Sequence, residues 1–278
     1  MTNSSSTKKF TKYQNSKRLW LLILSRGGLA FGGLLVMGIS LGIWRLQVFI
    51  RQDLAPLVEK NLTNIIDRPL ELGEVEGFSP HGVRFGASAV PKTAKDSDTV
   101  KADAIEVGFD PLKLLFNRRL NLDITLVNPV GYVDRDKQGR WITTKIVLPE
   151  EPGAIAIDVE KVQLRNGSVT LMPLEENRQV SPKVVFSGLN GYAKFFDNYQ
   201  GVRFEVGGKP GRSGNVSVRG KVGIKTKTGN LDLQVEDLIA SEVTPLVELP
   251  INLKGGKING DLQVKLPAGE KIQPLLYG

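Results

Sequence analysis

Few residues of this 278-residue chain are of a type and spacing that do chemistry. His81, the only histidine, stands between Pro80 and Gly82. A metal site or a catalytic triad needs convergent partners for it, so the spacing predicts a turn. Asp134 and Asp136 have the D-x-D spacing of a cation pair, but the rest of a calcium loop is missing, which points to a solvated hairpin end. The glycines of residues 207–214 look suited to a phosphate, yet they lack G-x-x-x-x-G-K-[ST] and a strand-to-helix setting, so a loop is expected. Asn61, Asn166 and Asn215 open N-x-[ST] sequons, which carry no weight without a eukaryotic secretory context. There is no cysteine, which excludes disulfides, thiolate catalysis and Cys-ligated zinc. No acid–base or nucleophile constellation emerges, and the chain is expected to be no enzyme, with no cofactor and no metal. The net charge of +8 is spread thinly outside the N-terminal tail. Without a basic block interleaved with aromatics, a nucleic-acid partner is not expected.

With so little chemistry to position, the elements themselves become informative. Residues 19–44 read LWLLILSRGGLAFGGLLVMGISLGIW, apolar, small or hydroxylated except Arg26. From Gly27 through Leu34, Leu35 and Val36 to Trp44 there is no charge. A run of about 18 such residues is long enough to cross a bilayer as a helix. Lys8, Lys9, Lys12, Lys17 and Arg18 precede it, with no acid before Asp53. Basic residues stay on the cytoplasmic side, so a single-pass anchor with a cytoplasmic N-terminus is predicted. Arg26 then snorkels to the inner interface. A cleaved signal peptide is the competing interpretation; the long apolar run and the lack of an A-x-A site favour the anchor. Gly28/Gly32 and Gly38/Gly42 match G-x-x-x-G, though glycine is common in membrane helices.

Five segments are expected. Residues 1–18 form a disordered basic tail, 19–44 the anchor, and 45–69 an amphipathic helix with apolar residues three and four apart that Pro56 kinks or divides. Residues 70–150 and 151–278 are two stretches of sheet. There the apolar period becomes two. Leu120, Leu122, Ile124 and Leu126 alternate with Arg119, Asn121, Asp123 and Thr125, as in a strand with one wet face. The same alternation marks Val162/Leu164, Val169/Leu171, Val216/Val218, Val222/Ile224, Leu231/Leu233 and Leu262/Val264. Turns are expected at 136–139, 166–167, 197–201, 207–214 and 228–230. Two short helices are expected, one capped by Asp110 with Pro111 after it, the other near 240–249. Residues 120–133 and 157–171 echo each other: a strand, a break at Asn-Pro or Asn-Gly, a second strand. Such repetition suggests an extendable, mostly antiparallel sheet. The strand at 257–266 is expected to be an uncovered edge, which predicts a longer protein or a partner.

These residues carry a resemblance. The anchor and amphipathic helix are followed by DRPLELG (67–73), VEGFS (75–79), GVRFG (82–86), then DPL (110–112) through LFNRRL (115–120), Asn128-Pro129, DKQGRW (136–141) and KGGKING (254–260). In that order they resemble the N-terminal portion of AsmA-like and TamB-like envelope proteins, closest to cyanobacterial members. The resemblance implies a mainly β fold: an elongated, curled, taco-like groove, anchored in the inner membrane and reaching into the periplasm. It implies lipid transfer between membranes, outer-membrane protein translocation and assembly, or both. The implied partners are phospholipid, the inner membrane and an outer-membrane β-barrel. Such proteins are usually much longer.

An apolar groove needs only a continuous stripe, for which Leu120, Leu122, Ile124, Leu126, Val162, Leu164, Val216, Val218, Val222, Ile224, Leu231, Leu233 and Val264 are the candidates. Each buried CH₂ gains about 0.8 kcal/mol there. An ordinary β-sandwich core shows the same alternation. The alternative function is a scaffold that pairs its sheet edge with a partner strand.

Overall fold

The computed structural model describes residues 37, 40, 41, 44, 48, 55–79, 81–94, 96–113, 119–135, 156–173, 183–212, 214–243, 246, 255–266 and 275–277. Internal contacts divide the chain into Met1–Leu54 and Ala55–Gly278. In the first unit the described residues Met37, Ser40, Leu41, Trp44 and Val48 all have helical backbone. Met37, Leu41 and Trp44, three and four apart, are 61%, 52% and 58% exposed. Gly27, Leu34, Leu35, Val36 and the basic tail lie outside the described residues. Among the described residues no helix is long and apolar enough to cross a membrane.

The second unit begins with helix α1, Ala55–Ile66. Pro56 lies in its first turn, where a missing N–H leaves no helical bond unmade; residues 49–54 before it lie outside the described residues. Asp67 ends the helix in left-handed backbone, φ 50°. The segment after it is a clasp. Arg68 is buried, pairs with Asp96 at 3.3 Å and donates to the carbonyls of Pro91 at 2.9 Å and Asp98 at 2.5 Å. Leu70 is buried, Glu71 bridges to Ala89, and the Gly73 N–H donates to Ser88 Oγ at 3.0 Å. A Cβ on Gly73 would lie 2.6 Å from the Gly86 carbonyl carbon, so only glycine passes there.

Among the described residues one sheet follows, built from fourteen strands. They are β1 Val75–Ser79, β2 Gly82–Phe85, β3 Ser88–Val90, β4 Thr99–Ala102, β5 Ala104–Phe109, β6 Arg119–Val127, β7 Val130–Asp134, β8 Ala156–Met172, β9 Val184–Phe196, β10 Gly201–Pro210, β11 Asn215–Gly223, β12 Gly229–Ile239, β13 Lys257–Leu266 and β14 Leu275–Tyr277. Helix α2, Ala240–Val243, follows β12. The spatial order is β1-β2-β5-β6-β8-β9-β10-β11-β12-β13-β14, with β4 joining β3 to β7, and β7 beside β8. The sheet is mixed, largely antiparallel and not strongly curled. β6 and β7 both run parallel to β8. The echo between 120–133 and 157–171 is this pairing: two similar runs lie side by side in the same direction. The long connection from β7 to β8 supplies the crossover that parallel pairing needs. The pairing also joins the segments expected to divide at 150/151 into one sheet.

Three expectations change. Asn166-Gly167 is a bulge inside β8, not a hairpin. Residues 207–210 continue β10, and 211–212 turn. Ile224 falls in the turn after β11. The breaks share one level across the sheet. Asn128 (φ 47°), Asn166 (φ 53°), Gly188 (φ 60°), Gly214 (φ 76°) and Asp237 (φ 49°) are all left-handed. The register shifts of β8, β9, β10 and β12 fall at the same height. Side chains stitch this crease. Asn128 Nδ2 donates to Asp103 at 2.9 Å, Asn166 Nδ2 to Asn128 Oδ1 at 2.9 Å, and the Asn166 N–H to Asn190 Oδ1 at 2.9 Å. Farther along, the Asp237 N–H donates to Asn259 Oδ1 at 2.7 Å. Asn and Asp tolerate left-handed backbone better than other side-chain-bearing residues.

The core lies under β2, β5 and β6. Phe85, Leu120 and Leu122 are 0% exposed, and Val83, Ile105, Val107, Phe109 and Ile124 are buried with them. After β5, Asp110 caps the helical residues 111–113, its Oδ1 accepting from the N–H of Leu112 at 2.9 Å. The later part of that helix, and residues 136–150, lie outside the described residues. Beyond β13 the edge is covered in part: β14 pairs with Gln263, Val264 and Lys265.

Candidate functional site

Residues paired across strands lie on the same face of a sheet, so the register can be followed rung by rung. One rung runs Val107, Ile124, Val162, Ala193, Phe204, Gly220, Leu231, Val264. The next runs Ile105, Leu126, Leu164, Gly191, Val206, Val218, Leu233, Leu262. A third joins Phe195, Val202, Val222, Gly229 and Leu266. Val216 and Val235 pair on the same face. Every described member of the three rungs is apolar or glycine. Each is unbroken across β8 to β13 or most of it, five strand spacings of about 4.8 Å, or about 24 Å.

The two mid-strand glycines leave no gap. A Cβ on Gly220 would lie 2.6 Å from Leu231 Cδ2 and 3.1 Å from Phe204 Cζ, so neighbours lean over it. Val206 does the same over Gly191.

Burial changes along this face. Leu120, Leu122 and Ile124 are closed off in the core, so no ligand reaches them. From Leu126, Val162 and Leu164 onward the side chains are half-buried. Val202, Phe204, Val206, Val216, Val218, Val222, Leu231, Leu233, Leu262 and Val264 all keep partial access to solvent. The face is therefore packed at one end and open over β8–β13. Leu238 is the exception, buried at 5% exposure where α2 follows β12. Val202, Phe204 and Val206 were missed from sequence because the glycines after them were taken for a loop; their alternation within VRFEV was the available signal.

The opposite face is polar. Arg84 pairs with Glu106 at 2.5 Å, Arg165 with Glu106 at 3.3 Å, Lys194 with Glu160 at 3.4 Å and Arg219 with Asp232 at 3.8 Å. Glu160 lines a recess of about 410 Å³ with Lys113, Arg119, Asn121, Phe195 and Tyr199. Burial by itself would raise its carboxyl; hydrogen bonds from Asn121 and Lys194, with the charges of Lys194 and Lys113, hold it below the usual carboxylate value. Burial raises the Tyr199 hydroxyl, although that oxygen accepts from the Val159 N–H. Asp197, Asn198 and Tyr199 are all left-handed in the turn that carries it.

The residues with possible chemistry do not converge. His81 lies in the turn between β1 and β2. Asp134 accepts from Ser97 Oγ at 2.5 Å, and its N–H donates to Asp98; Asp136 lies outside the described residues. Among the described residues no group of three or more His, Cys, Asp or Glu could hold a metal ion. No known family model matches the chain, and no curated protein matches it.

Proposed function

We propose that this chain is a membrane-anchored envelope protein, of the AsmA-like and TamB-like kind, whose open sheet face carries lipid acyl chains. The carrying observation is the apolar face that stays half-exposed from β8 to β13. Its length of about 24 Å exceeds one acyl tail, about half of a bilayer core about 30 Å thick. A tail lying there crosses strands instead of following one. Contact on one side only gains roughly half of the about 0.8 kcal/mol per fully buried CH₂. The gain is nearly uniform along the rungs, so the tail slides without a deep trap, and no catalytic residue is needed. A sheet curling further around a tail would approach the taco-like groove implied by the resemblance. The uncharged span to Trp44 and the exposed Met37, Leu41 and Trp44 support a single-pass inner-membrane anchor with the sheet in the periplasm.

Photo-crosslinkers test this. In vesicles of phosphatidylcholine alone, crosslinkers at Val218, Leu233 and Val264 should capture phospholipid; at Arg219, Gln234 and Lys265, one residue further along each strand, they should not. Equal capture by both sets, or by neither in folded protein, would defeat the proposal. A second reading, strand addition to a partner such as an outer-membrane β-barrel, has its own support. β14 pairs with only Gln263, Val264 and Lys265, and Lys257–Leu262 have no partner on that side among the described residues.

A further inference from the structure

One rung of the polar face differs from its neighbours. Register sets Lys161 opposite Lys194, Lys194 opposite Arg203, and Arg203 opposite Lys221. Asn230 follows, and Lys265 closes the row on β13. Five cations thus stand in line over six strands, about 24 Å at about 4.8 Å per strand.

Like charges directly opposite on neighbouring strands destabilise a sheet. The adjacent rung avoids this, because Tyr192, Glu205, Arg219 and Asp232 mix their signs. Within the cation row only Lys194 has a carboxylate in ion-pair contact, Glu160 at 3.4 Å, while Asp123 of β6 stands opposite Lys161 at the end of the row. The nitrogens of Lys161 and Lys221 lie 5.6 and 4.7 Å from the ring centres of Tyr192 and Phe196. Arg203 and Lys265 have no ion-pair partner among the described residues. Lys225 and Lys227 follow in the turn after β11. A line of mostly unneutralised positive charge on a face otherwise balanced in sign is suited to an extended anion.

We propose that this row docks the polar face of the sheet onto an anionic phospholipid surface. The proposal rests on the membrane-anchor half of the function proposed above and is independent of the acyl-chain half. An anchored chain has lipid phosphates as its nearest anions. The row lies along a sheet face, without the groove that a single nucleic-acid strand tracks. Each cation near an anionic bilayer strengthens the attraction about fivefold.

The test uses the full chain reconstituted in vesicles. Because the protein has no cysteine, Asn230→Cys provides a single labelling site inside the row. A fluorophore there should be quenched by headgroup-spin-labelled lipid when phosphatidylcholine vesicles also contain phosphatidylglycerol. Added salt should relieve the quenching. The triple variant Arg203→Gln/Lys221→Gln/Lys265→Gln, which spares the Lys194–Glu160 pair, should weaken docking on the order of a hundredfold, from about fivefold per cation. It should melt no lower than the parent, because it removes repulsion. Quenching that ignores phosphatidylglycerol, or persists in the triple variant, overturns the proposal, and so does a lower melting temperature. Single-stranded DNA binding that the triple variant abolishes, together with quenching indifferent to phosphatidylglycerol, would reassign the row to nucleic acid.

Discussion

Truncating one leucine at each end of the apolar face measures how open it is. Leu122 in β6 is 0% exposed, whereas Leu233 in β12 is half-buried on the same face. Leu122→Ala removes three carbons from a closed core and leaves a cavity. Transfer alone is worth about 2.4 kcal/mol at about 0.8 per carbon, and the void raises the loss to about 3–5 kcal/mol. Leu233→Ala leaves a dent that water fills, with no cavity term. Part of its side chain is already wet, so the loss should be about 1 kcal/mol. Urea unfolding of both variants, followed by far-ultraviolet circular dichroism, gives the comparison. A loss at Leu233 equal to that at Leu122 would mean that the face is covered, and the acyl-chain proposal would fall with it. The lipid readout should run the other way: Leu233→Asp should abolish crosslinking from Val218 while the fold survives, because a carboxylate on the stripe is costly to desolvate.

Arg68→Ala should cost about 3–5 kcal/mol, since it strips a buried ion pair and two carbonyl contacts; Arg68→Lys should not restore them, as urea midpoints would reveal. Gly191→Ala should destabilise by about 1–3 kcal/mol, because its Cβ would lie 2.7 Å from Val206 Cα; Gly207→Ala, whose nearest neighbour is 3.7 Å away, should be nearly neutral in thermal melts. Burial raises the Asp98 carboxyl above its usual 3.8, against the opposing N–H of Asp134. The fold therefore favours the protonated form, and that contribution, present below 3.8, is lost as pH climbs through the raised value. Asp98→Asn should accordingly gain stability relative to the parent as pH rises across that window; a difference constant with pH would show that burial does not govern this carboxyl.

Much of the sheet was legible because period-2 alternation survives wherever one face is apolar. Leu120–Leu126 and Leu231–Val235 read as strands, and register sets them on one face. Four things were hidden. The parallel placement of β8 depends on a long crossover whose path alternation does not encode. Asn166-Gly167 has turn chemistry, and the same left-handed preference that makes a hairpin also makes a bulge. The difference between packed Leu122 and open Leu233 lies in what covers them, since both sit in equally regular patterns. The cation row was invisible for a similar reason: Lys161, Lys194, Arg203, Lys221 and Lys265 are scattered along the chain and become a line only through register.

The crease through Asn128, Asn166, Gly188, Gly214 and Asp237 acts as a ruler. A strand that crosses it must change direction at the same height as its neighbour, or lose pairing on one side of the line. β10 and β13 cross it with no left-handed residue because the neighbouring strand carries the extra one, so a hairpin inserted or duplicated between β8 and β13 would need such a residue on one of its two strands at that height. Asn, Asp or Gly would serve, whereas valine or isoleucine there would break the ladder into two misaligned halves. Growth of the sheet is thus constrained by position as well as by alternation. Shortening it by a whole hairpin should leave the remaining strands in phase, while deleting a few residues on one side of the line should not.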